Sequence, residues 1–457
     1  MAQIDPSNRR APYAVAVLRA IAIGLCVVAA ARLGSAIITS WNFYGGELLA
    51  AFPGHLVLEW LNPAVYAEAP APWVPATWVG AQAWFYGPFH HLAYLPLLAV
   101  SPSLASFWHA LLVTQIVAIC AGLAALARVE SNLPANHRFF FFFLVIGLTF
   151  NQFAVLDNLR LRHTEILEFV LLLGALWALY RGREAAGGAL MALAALTKLL
   201  PAVFFLLLPV RRLTRGIRGY AAATAIVVVL AQLLLGWENY SLFQARVANA
   251  HGLPTVAAMR GEEPFTEPSD QRGSLYTFLL APYYRIEFPS GHASPTVRRA
   301  TSNFLVPNLA FAGIVLFVCA MTIVALRRAG TDWLFSFGLL GCVTLIASPR
   351  CNPHYYVFPL FGLFWFARRF LERAAADQVT RSDVTIAVAL AFVMLAFGSV
   401  VPFGVVDRLF GLVPTTYFSM LAVYGIYGAA TFVLWALLMY TRLKVDGTPR
   451  MIGVASS

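Results

Sequence analysis

The chain has 457 residues, of which 60% are hydrophobic and only 12% are charged, and its formal net charge is +11. Charged residues normally make up about a quarter of a soluble domain, so this composition excludes an ordinary soluble protein. Apolar runs near 20 residues recur along the sequence and are continuous instead of alternating, which is typical of membrane-spanning helices and not of a β-barrel. We therefore predict an all-α, polytopic helical membrane protein.

The distribution of basic residues and cysteines argues against a nucleic-acid-binding site and against a cysteine-based framework. Much of the positive charge falls in short clusters at the ends of apolar runs, where arginine fixes membrane topology, so nucleic-acid binding is not indicated. Four of the five cysteines lie within apolar runs and only Cys351 lies in a predicted loop. This scatter predicts neither a disulfide framework nor a cysteine-based metal cluster.

The N-terminal segment has two features of a signal peptide, because Arg9 and Arg10 precede an apolar run. That run, residues 13–38, is too long for the apolar region of a signal peptide and lacks a convincing small-residue cleavage site. We interpret it as a retained first span.

Ten runs of suitable length and apolarity predict ten membrane spans. Their approximate limits are 13–38, 104–127, 139–156, 164–181, 219–237, 304–326, 331–347, 354–371, 383–403 and 414–441. We interpret residues 1–457 as one transmembrane domain with two long extracytoplasmic loops, 39–103 and 238–303.

An eleventh apolar segment, residues 185–210, lies between two basic flanks, YRGRE and RRLTRGIR. Both flanks should be cytoplasmic, so the segment should enter and leave the membrane on the same side. This predicts a bent, membrane-penetrating hairpin with Lys198 and Pro201 near its turn. The alternative is one tilted span followed by an inverted topology. With the hairpin, the basic clusters that flank the spans and both termini lie inside, which favours it.

Three arginines, Arg160, Arg162 and Arg350, lie in short turns predicted to be outside, 157–163 and 348–354. Arginine there opposes the topology signal, so a compensating ligand is expected. A phosphate-bearing lipid would supply one, because guanidinium groups bind phosphate oxygens through paired hydrogen bonds. The alternative is local pairing with Asp157, Glu165 or lipid headgroups.

Candidate acids lie on the same predicted face. Glu47 follows the first span next to Gly45 and Gly46, which suits a general base for an acceptor hydroxyl. The alternative is that Glu47 stabilises the N-terminus of a short interfacial helix, 47–52. Glu165 and Glu168 lie one helical turn apart and are functional candidates as ionisable residues at a span, with pairing to Arg162 as the plain alternative.

Histidines provide a weaker signal. His354 follows a Ser-Pro-x-x-Asn-Pro turn, where a histidine is more often an interfacial hydrogen-bonding group than a catalyst. His354 could form a metal site with His90 and His91, but their spacing does not support one. A divalent metal is therefore only weakly indicated, and the predicted site includes no metal and no cofactor.

Four segments carry a resemblance to a known family. They are WNFYGGELL with NPAVY and FYGPFHHLAYLP, then AGGALMALAALTKLLP with RRLTRGIR, then DQRGSLYTFLLAPYYR, and finally SPRCNPHYYVFPL. Over residues 10–370 the chain resembles the polyprenyl-phosphate-sugar-dependent GT-C glycosyltransferases. Within them it is similar to the DUF2029 or GT87 family, which includes mycobacterial alpha-mannosyltransferases.

Three departures from the family pattern indicate a divergent member. Asn42, followed by Phe43, stands where the family usually has its catalytic aspartate, so Glu47 is the expected replacement. The family's Gly-Gln-x-Asn pattern is replaced by LRHTE, and its Asn-Gln-Ser pattern by residues 270–274, DQRGS.

The resemblance implies an inverting transfer of mannose or another sugar from a polyprenyl-phosphate donor to a lipid-linked or cell-envelope glycan acceptor. It implies a bacterial inner-membrane enzyme with an extracytoplasmic active site, in which arginines hold the departing phosphate and His354 and Gln271 orient a substrate. Glu47 and Asn42 are the candidates for the catalytic position. The predicted substrate-binding residues are Tyr44, Tyr86, His90, His91, Arg160, Arg162, His163, Glu165, Lys198, Gln271, Ser274, Arg350 and His354.

The alternative function is a non-catalytic lipid-binding or lipid-transporting protein that uses the same cavity. A transporter should have paired repeats with interrupted helices in matching positions. Only one interrupted segment is evident, near Lys198 and Pro201, which favours the enzyme, although Asn42 leaves a catalytically silent relative open.

Overall fold

The computed structural model describes residues 10–45, 89, 92–93, 96–97, 104–130, 133–161, 163–235, 256–268, 273–288, 295–398, 408–409 and 416–445. The α-helices are α1 (Arg10–Gly45), α2 (Leu104–Val129), α3 (Ala135–Asn151), α4 (Phe153–Leu161), α5 (Glu165–Tyr180), α6 (Glu184–Thr197), α7 (Leu207–Val210), α8 (Thr214–Leu235), α9 (Val256–Met259), α10 (Leu275–Leu280), α11 (Leu305–Arg328), α12 (Trp333–Ile346), α13 (Leu360–Ala375), α14 (Arg381–Ala396), α15 (Thr416–Val423) and α16 (Ile426–Tyr440). Short 3₁₀ segments lie at Leu200–Leu206, Ala281–Tyr283 and Pro353–Tyr355, and one π-helical turn lies at Thr441–Val445. Strand β1 (Tyr284–Glu287) pairs antiparallel with β2 (Thr296–Arg299), Tyr284 opposite Arg299.

The prediction of a helical, multi-pass membrane protein is confirmed. Each of the ten predicted spans coincides with a helix or a pair of helices. Among the described residues, five helices are individually long and apolar enough to cross a membrane, and a bent pair makes six. The five are Val15–Trp41, His109–Val129, Thr214–Leu233, Leu305–Arg328 and Ile426–Leu443.

The predicted third span is broken. Helices α3 and α4 meet at 65° across Gln152, whose backbone is extended. The guanidinium of Arg32 donates hydrogen bonds to the carbonyls of Asn151 and Gly398, and these bonds satisfy carbonyl groups near the break. The prediction of an outer turn at 157–163 is therefore wrong in its first part, because helix α4 continues to Leu161.

The predicted hairpin is present. Helix α6 ends at Thr197, Lys198 is fully extended (φ −155°, ψ 148°), and the chain returns through Leu200–Leu206 and α7. A Cβ atom on Gly188 would lie 1.9 Å from the carbonyl oxygen of Gly216, so the start of α6 lies against the start of α8. Both ends of the hairpin are thus at one end of the bundle. Lys198 lies about 20 Å away, at the far end of a 14-residue helix.

The centre of the bundle is α12. Every residue of this helix from Leu334 to Ile346 is buried. Glycine permits its close approach to α13, since a Cβ atom on Gly338 would lie 2.8 Å from the Cα atom of Gly362. This packing fixes the segment between α12 and α13, residues 347–359, against the core.

Helix α5 defines two ends of the bundle. Its last residue, Tyr180, donates a hydrogen bond to Glu130. Glu130 and Asp332 both form ion pairs with Arg368, and we call this end of the bundle the Arg368 end. Its first residue is Glu165, and we call the opposite end the Glu165 end. A helix of 16 residues separates them by about 24 Å.

Candidate functional site

A cluster of ionisable side chains is buried at the Glu165 end. The Nζ atom of Lys198 lies 2.8 Å from Oε1 of Glu165, and these side chains are 5% and 0% exposed. The Nε2 atom of His354 lies 3.5 Å from the same oxygen. Glu165 therefore joins the tip of the hairpin to the segment between α12 and α13. We call Glu165, Glu168, Lys198, His163 and His354 the Glu165 cluster.

Glu165 and Lys198 both lie at helix ends. Glu165 is the first residue of α5, where the positive end of the helix dipole stabilises a carboxylate. Lys198 is the extended residue that ends α6, so its side chain leaves the helix and reaches α5. The two residues are 33 positions apart, and the hairpin brings them together.

His354 is held in place through its backbone and through its ring. Its carbonyl oxygen accepts a hydrogen bond of 2.7 Å from the side-chain nitrogen of Asn158 on α4. Its ring stacks on the ring of His163, with centroids 4.4 Å apart and planes 8° from parallel. These two contacts fix the orientation of the His354 ring.

Lys198 also contacts an aromatic face. Its ammonium lies 4.3 Å from the ring centroid of Tyr355, the residue after His354. The chain has only two lysines, Lys198 and Lys444. A lysine differs from arginine in presenting a compact charge that one carboxylate can balance. Tyr355 was assigned no role from the sequence. The rarity of lysine in this chain was the one sequence feature that pointed to the residues around Lys198.

Glu168 adds a second carboxylate one turn after Glu165. It is fully buried. Two acids therefore lie close to one lysine. Carboxyl groups buried in a membrane domain are costly and mark functional sites by default, so the cluster is a functional candidate.

Three residues of the cluster offer ligand atoms for a metal ion. A nitrogen of His163, a nitrogen of His354 and an oxygen of Glu165 lie within 4.8 Å of one another. The ammonium of Lys198, however, lies 2.8 Å from that same carboxylate and already balances its charge. A divalent cation would be placed beside a fixed positive charge. The donor set therefore fits a metal poorly.

Ser274, predicted to bind substrate, has its hydroxyl engaged in local structure. Its Oγ accepts the backbone N–H of Thr277 at the start of α10 and donates to the carbonyl of Pro349, 2.8 Å away. A backbone hydrogen bond joins the same two segments, because the N–H of Gly273 donates to the carbonyl of Cys351 at 2.9 Å. Ser274 thus fastens α10 to the segment that carries His354.

The three predicted phosphate-binding arginines have different positions. Arg160 forms an ion pair of 3.0 Å with Asp157 on the same helix, as in the local-pairing alternative, and its side chain remains 48% exposed. Arg350 is half-buried in the segment that leads to His354, and its carbonyl accepts a hydrogen bond from Ser348. Arg162 lies outside the described residues.

Several predicted residues are not placed. Glu47, Tyr86, His90, His91 and Gln271 lie outside the described residues. Asn42 and Tyr44 lie in the last turn of α1, because this helix continues to Gly45, and their side chains are outside the description. Just before them, the hydroxyl of Ser40 donates to the carbonyl of Arg160 at 2.8 Å. The end of α1 is therefore at the Glu165 end.

Comparisons with known proteins identify the family. The model of glycosyltransferase family 87 matches residues 84–349, more than half of the chain, including every member of the Glu165 cluster except His354. No curated protein sequence matches. Among solved structures the chain is similar to ArnT from Cupriavidus metallidurans in the apo state, at 14% identity and a TM-score of 0.37, covering 85% of this chain and 72% of that one. From the family match, the chain belongs to glycosyltransferase family 87.

Proposed function

We propose that this glycosyltransferase moves a sugar, mannose or another hexose or pentose, from a polyprenyl-phosphate donor to a lipid-linked or cell-envelope glycan acceptor. The reaction inverts the anomeric centre and occurs at the Glu165 end, facing outward in the bacterial inner membrane. The observation that supports this most is the buried Glu165–Lys198–His354 contact at the tip of a membrane-penetrating hairpin. Burying these charges is costly, and a site for a charged lipid substrate explains why they are there.

The transfer needs one bond to form as another breaks. The acceptor hydroxyl oxygen bonds to the anomeric carbon, the bond from that carbon to the phosphate oxygen breaks, and its electron pair stays on the phosphate. A carboxylate takes the hydroxyl proton. Negative charge therefore increases on the phosphate, where positive groups lower the barrier.

Hydrogen-bond donors at the Glu165 end suit that phosphate. Arg350 lies in the same segment as His354, and Arg160 presents a half-exposed guanidinium. The imidazole of His354, oriented by Glu165 and stacked on His163, is a fixed hydrogen-bonding group for donor or acceptor. We assign phosphate binding to the arginines, with Arg162 as a third, and orientation to His354 and Gln271.

Glu47 is our candidate for the base. It follows the end of α1 by two residues, and α1 reaches the Glu165 end through the hydrogen bond between Ser40 and Arg160. Asn42 cannot accept a proton as a carboxylate does. Glu47 is the next acid after it in the sequence.

Replacing Glu47 by glutamine should lower the transfer rate by about 100-fold or more, because general base catalysis typically contributes this much. The measurement uses the purified chain in liposomes with polyprenyl-phosphate-mannose or -arabinose and a glycolipid acceptor, with the product detected by mass spectrometry. Glu59→Gln, in the same predicted loop, is the matched control and should keep its rate.

Two outcomes would count against these assignments. Full activity of Glu47→Gln would remove Glu47 as the base. Failure of the wild-type chain to turn over any such donor while still binding it would support the non-catalytic lipid-binding alternative.

A further inference from the structure

A polar cavity lies at the Arg368 end, about one helix length from the Glu165 cluster. It has a volume of about 480 Å³ and is lined by Pro209, Val210, Arg211, Arg212 and Arg327. The first four residues end the returning arm of the hairpin, and Arg327 ends α11. Its polar lining is entirely arginine, so we call it the arginine cavity.

Of the three arginines that line the cavity, Arg211 is engaged in packing, whereas Arg212 and Arg327 can bind a ligand. Arg211 donates a hydrogen bond of 2.8 Å to the carbonyl of Leu326, and its guanidinium lies 5.0 Å from the ring centroid of Trp333. Arg212 and Arg327 form no ion pair with any residue in the described part of the chain. Asp332, the residue before Trp333, is the nearest acid in the sequence, and Arg368 already binds both of its carboxylate oxygens at 2.9 Å. Arg212 and Arg327 therefore carry positive charge that no acid in the described part of the chain pairs with.

The backbone at Arg212 is unusual. Its φ is 56°, in the left-handed region that glycine adopts without cost and that other residues disfavour. This conformation ends the returning arm of the hairpin, because the N–H of Leu213 donates to the carbonyl of Leu208 at 2.8 Å and the N–H of Arg212 donates to that of Pro209 at 3.1 Å. It places Arg212 at the end of the helix.

Exposed apolar side chains lie one helical turn before the cavity-lining residues on both segments. Leu206 lies one turn before Pro209 and is 38% exposed, and Val324 lies one turn before Arg327 and is 39% exposed. Both residues lie on the bundle side of the arginines. A ligand with a charged head and an apolar tail would match this order of surfaces.

We propose that the arginine cavity binds the phosphate of an anionic phospholipid headgroup, with the acyl chains lying against Leu206 and Val324. Guanidinium groups bind phosphate oxygens through charge-assisted, paired hydrogen bonds. Basic pockets between helices at a membrane surface attract anionic lipids in this way. The site is separate from the proposed transfer reaction and does not depend on it.

Native mass spectrometry of the purified full chain in detergent tests this, with short-chain phosphatidylglycerol, short-chain phosphatidylcholine and inorganic phosphate as probes. The wild type should bind phosphatidylglycerol in preference to phosphatidylcholine. The double variant Arg212→Gln/Arg327→Gln should bind phosphatidylglycerol roughly 10- to 30-fold more weakly, since each basic residue near such a site has a modest, additive effect.

The matched control removes two exposed arginines at the same end, Arg128 and Arg381, as the variant Arg128→Gln/Arg381→Gln. This control should keep wild-type affinity, which separates the cavity from a general charge effect. If the double variant does not fold, Arg327→Gln alone, whose side chain is exposed, should still weaken binding severalfold. Equal binding of the two lipids, equal loss in the control, or tight binding of inorganic phosphate without a lipid preference would each overturn the proposal.

Discussion

Replacing Lys198 by methionine should lower the free energy of unfolding by about 3–5 kcal/mol, because it leaves the carboxylate of Glu165 buried without its partner. The pair is 2.8 Å apart and nearly inaccessible to solvent, so water cannot replace the lost ammonium. Methionine has a similar length and adds no branch to the site, which limits the change to charge and hydrogen bonding. Unfolding of the purified chain by denaturant in detergent micelles measures the effect.

The double variant Lys198→Met/Glu165→Gln should recover most of that loss, because it removes both charges together. The exposed ion pair between Arg299 and Glu267 provides the matched control. Its side chains are 48% and 50% exposed, so Arg299→Gln should cost at most about 1 kcal/mol. A cost for Lys198→Met as small as that of Arg299→Gln would show that Glu165 does not depend on Lys198.

Replacing Arg368 by methionine should also lower the free energy of unfolding, by about 3–5 kcal/mol. This guanidinium lies 2.9 Å from both carboxylate oxygens of Asp332 and 3.1 Å from Glu130, and its side chain is 8% exposed. Its removal leaves two acids at the Arg368 end without their main partner. Thermal unfolding in detergent, followed by loss of helical circular dichroism, measures the change.

Arg368→Lys should have an intermediate effect, because lysine keeps the charge but cannot form the paired hydrogen bonds to Asp332. Arg381→Gln, at an exposed position on α14, should leave the unfolding temperature unchanged. An unchanged unfolding temperature in Arg368→Met would mean that Glu130 and Asp332 find other partners at no cost.

The sequence predicted the architecture that creates the site. The basic flanks of residues 185–210 required both ends of that segment to lie on one side, and this predicted the hairpin and placed Lys198 at its turn. His163, Glu165, Lys198 and His354 were each candidates from the sequence. Their contact with one another was not predictable, because it depends on how α5, the hairpin and residues 347–359 pack in space.

Local sequence patterns misled in other places. The apolar run over residues 139–156 has no proline to mark its break, and the bend at Gln152 is accommodated by contacts with Arg32 and Phe397, which are distant in sequence. Asp157 and Arg160 were expected in a turn and instead lie on α4, where they form the local ion pair that was the alternative to phosphate binding. Ser274 belongs to the segment DQRGS, which replaces a family pattern, and it was predicted to bind substrate. Its hydroxyl instead caps α10 through the N–H of Thr277 and donates to the carbonyl of Pro349.

Sugar transfer by the variant Lys198→Met/Glu165→Gln tests most directly whether the Glu165 cluster is the active centre. This variant should fold nearly as well as the wild type, and His354 should lose the carboxylate that lies 3.5 Å from its ring. We expect its transfer from polyprenyl-phosphate sugar to glycolipid in liposomes to be about 100-fold slower than that of the wild type, since misplacing a reacting group costs this much. Transfer at the wild-type rate by the folded variant would contradict the assignment of the active centre to this cluster.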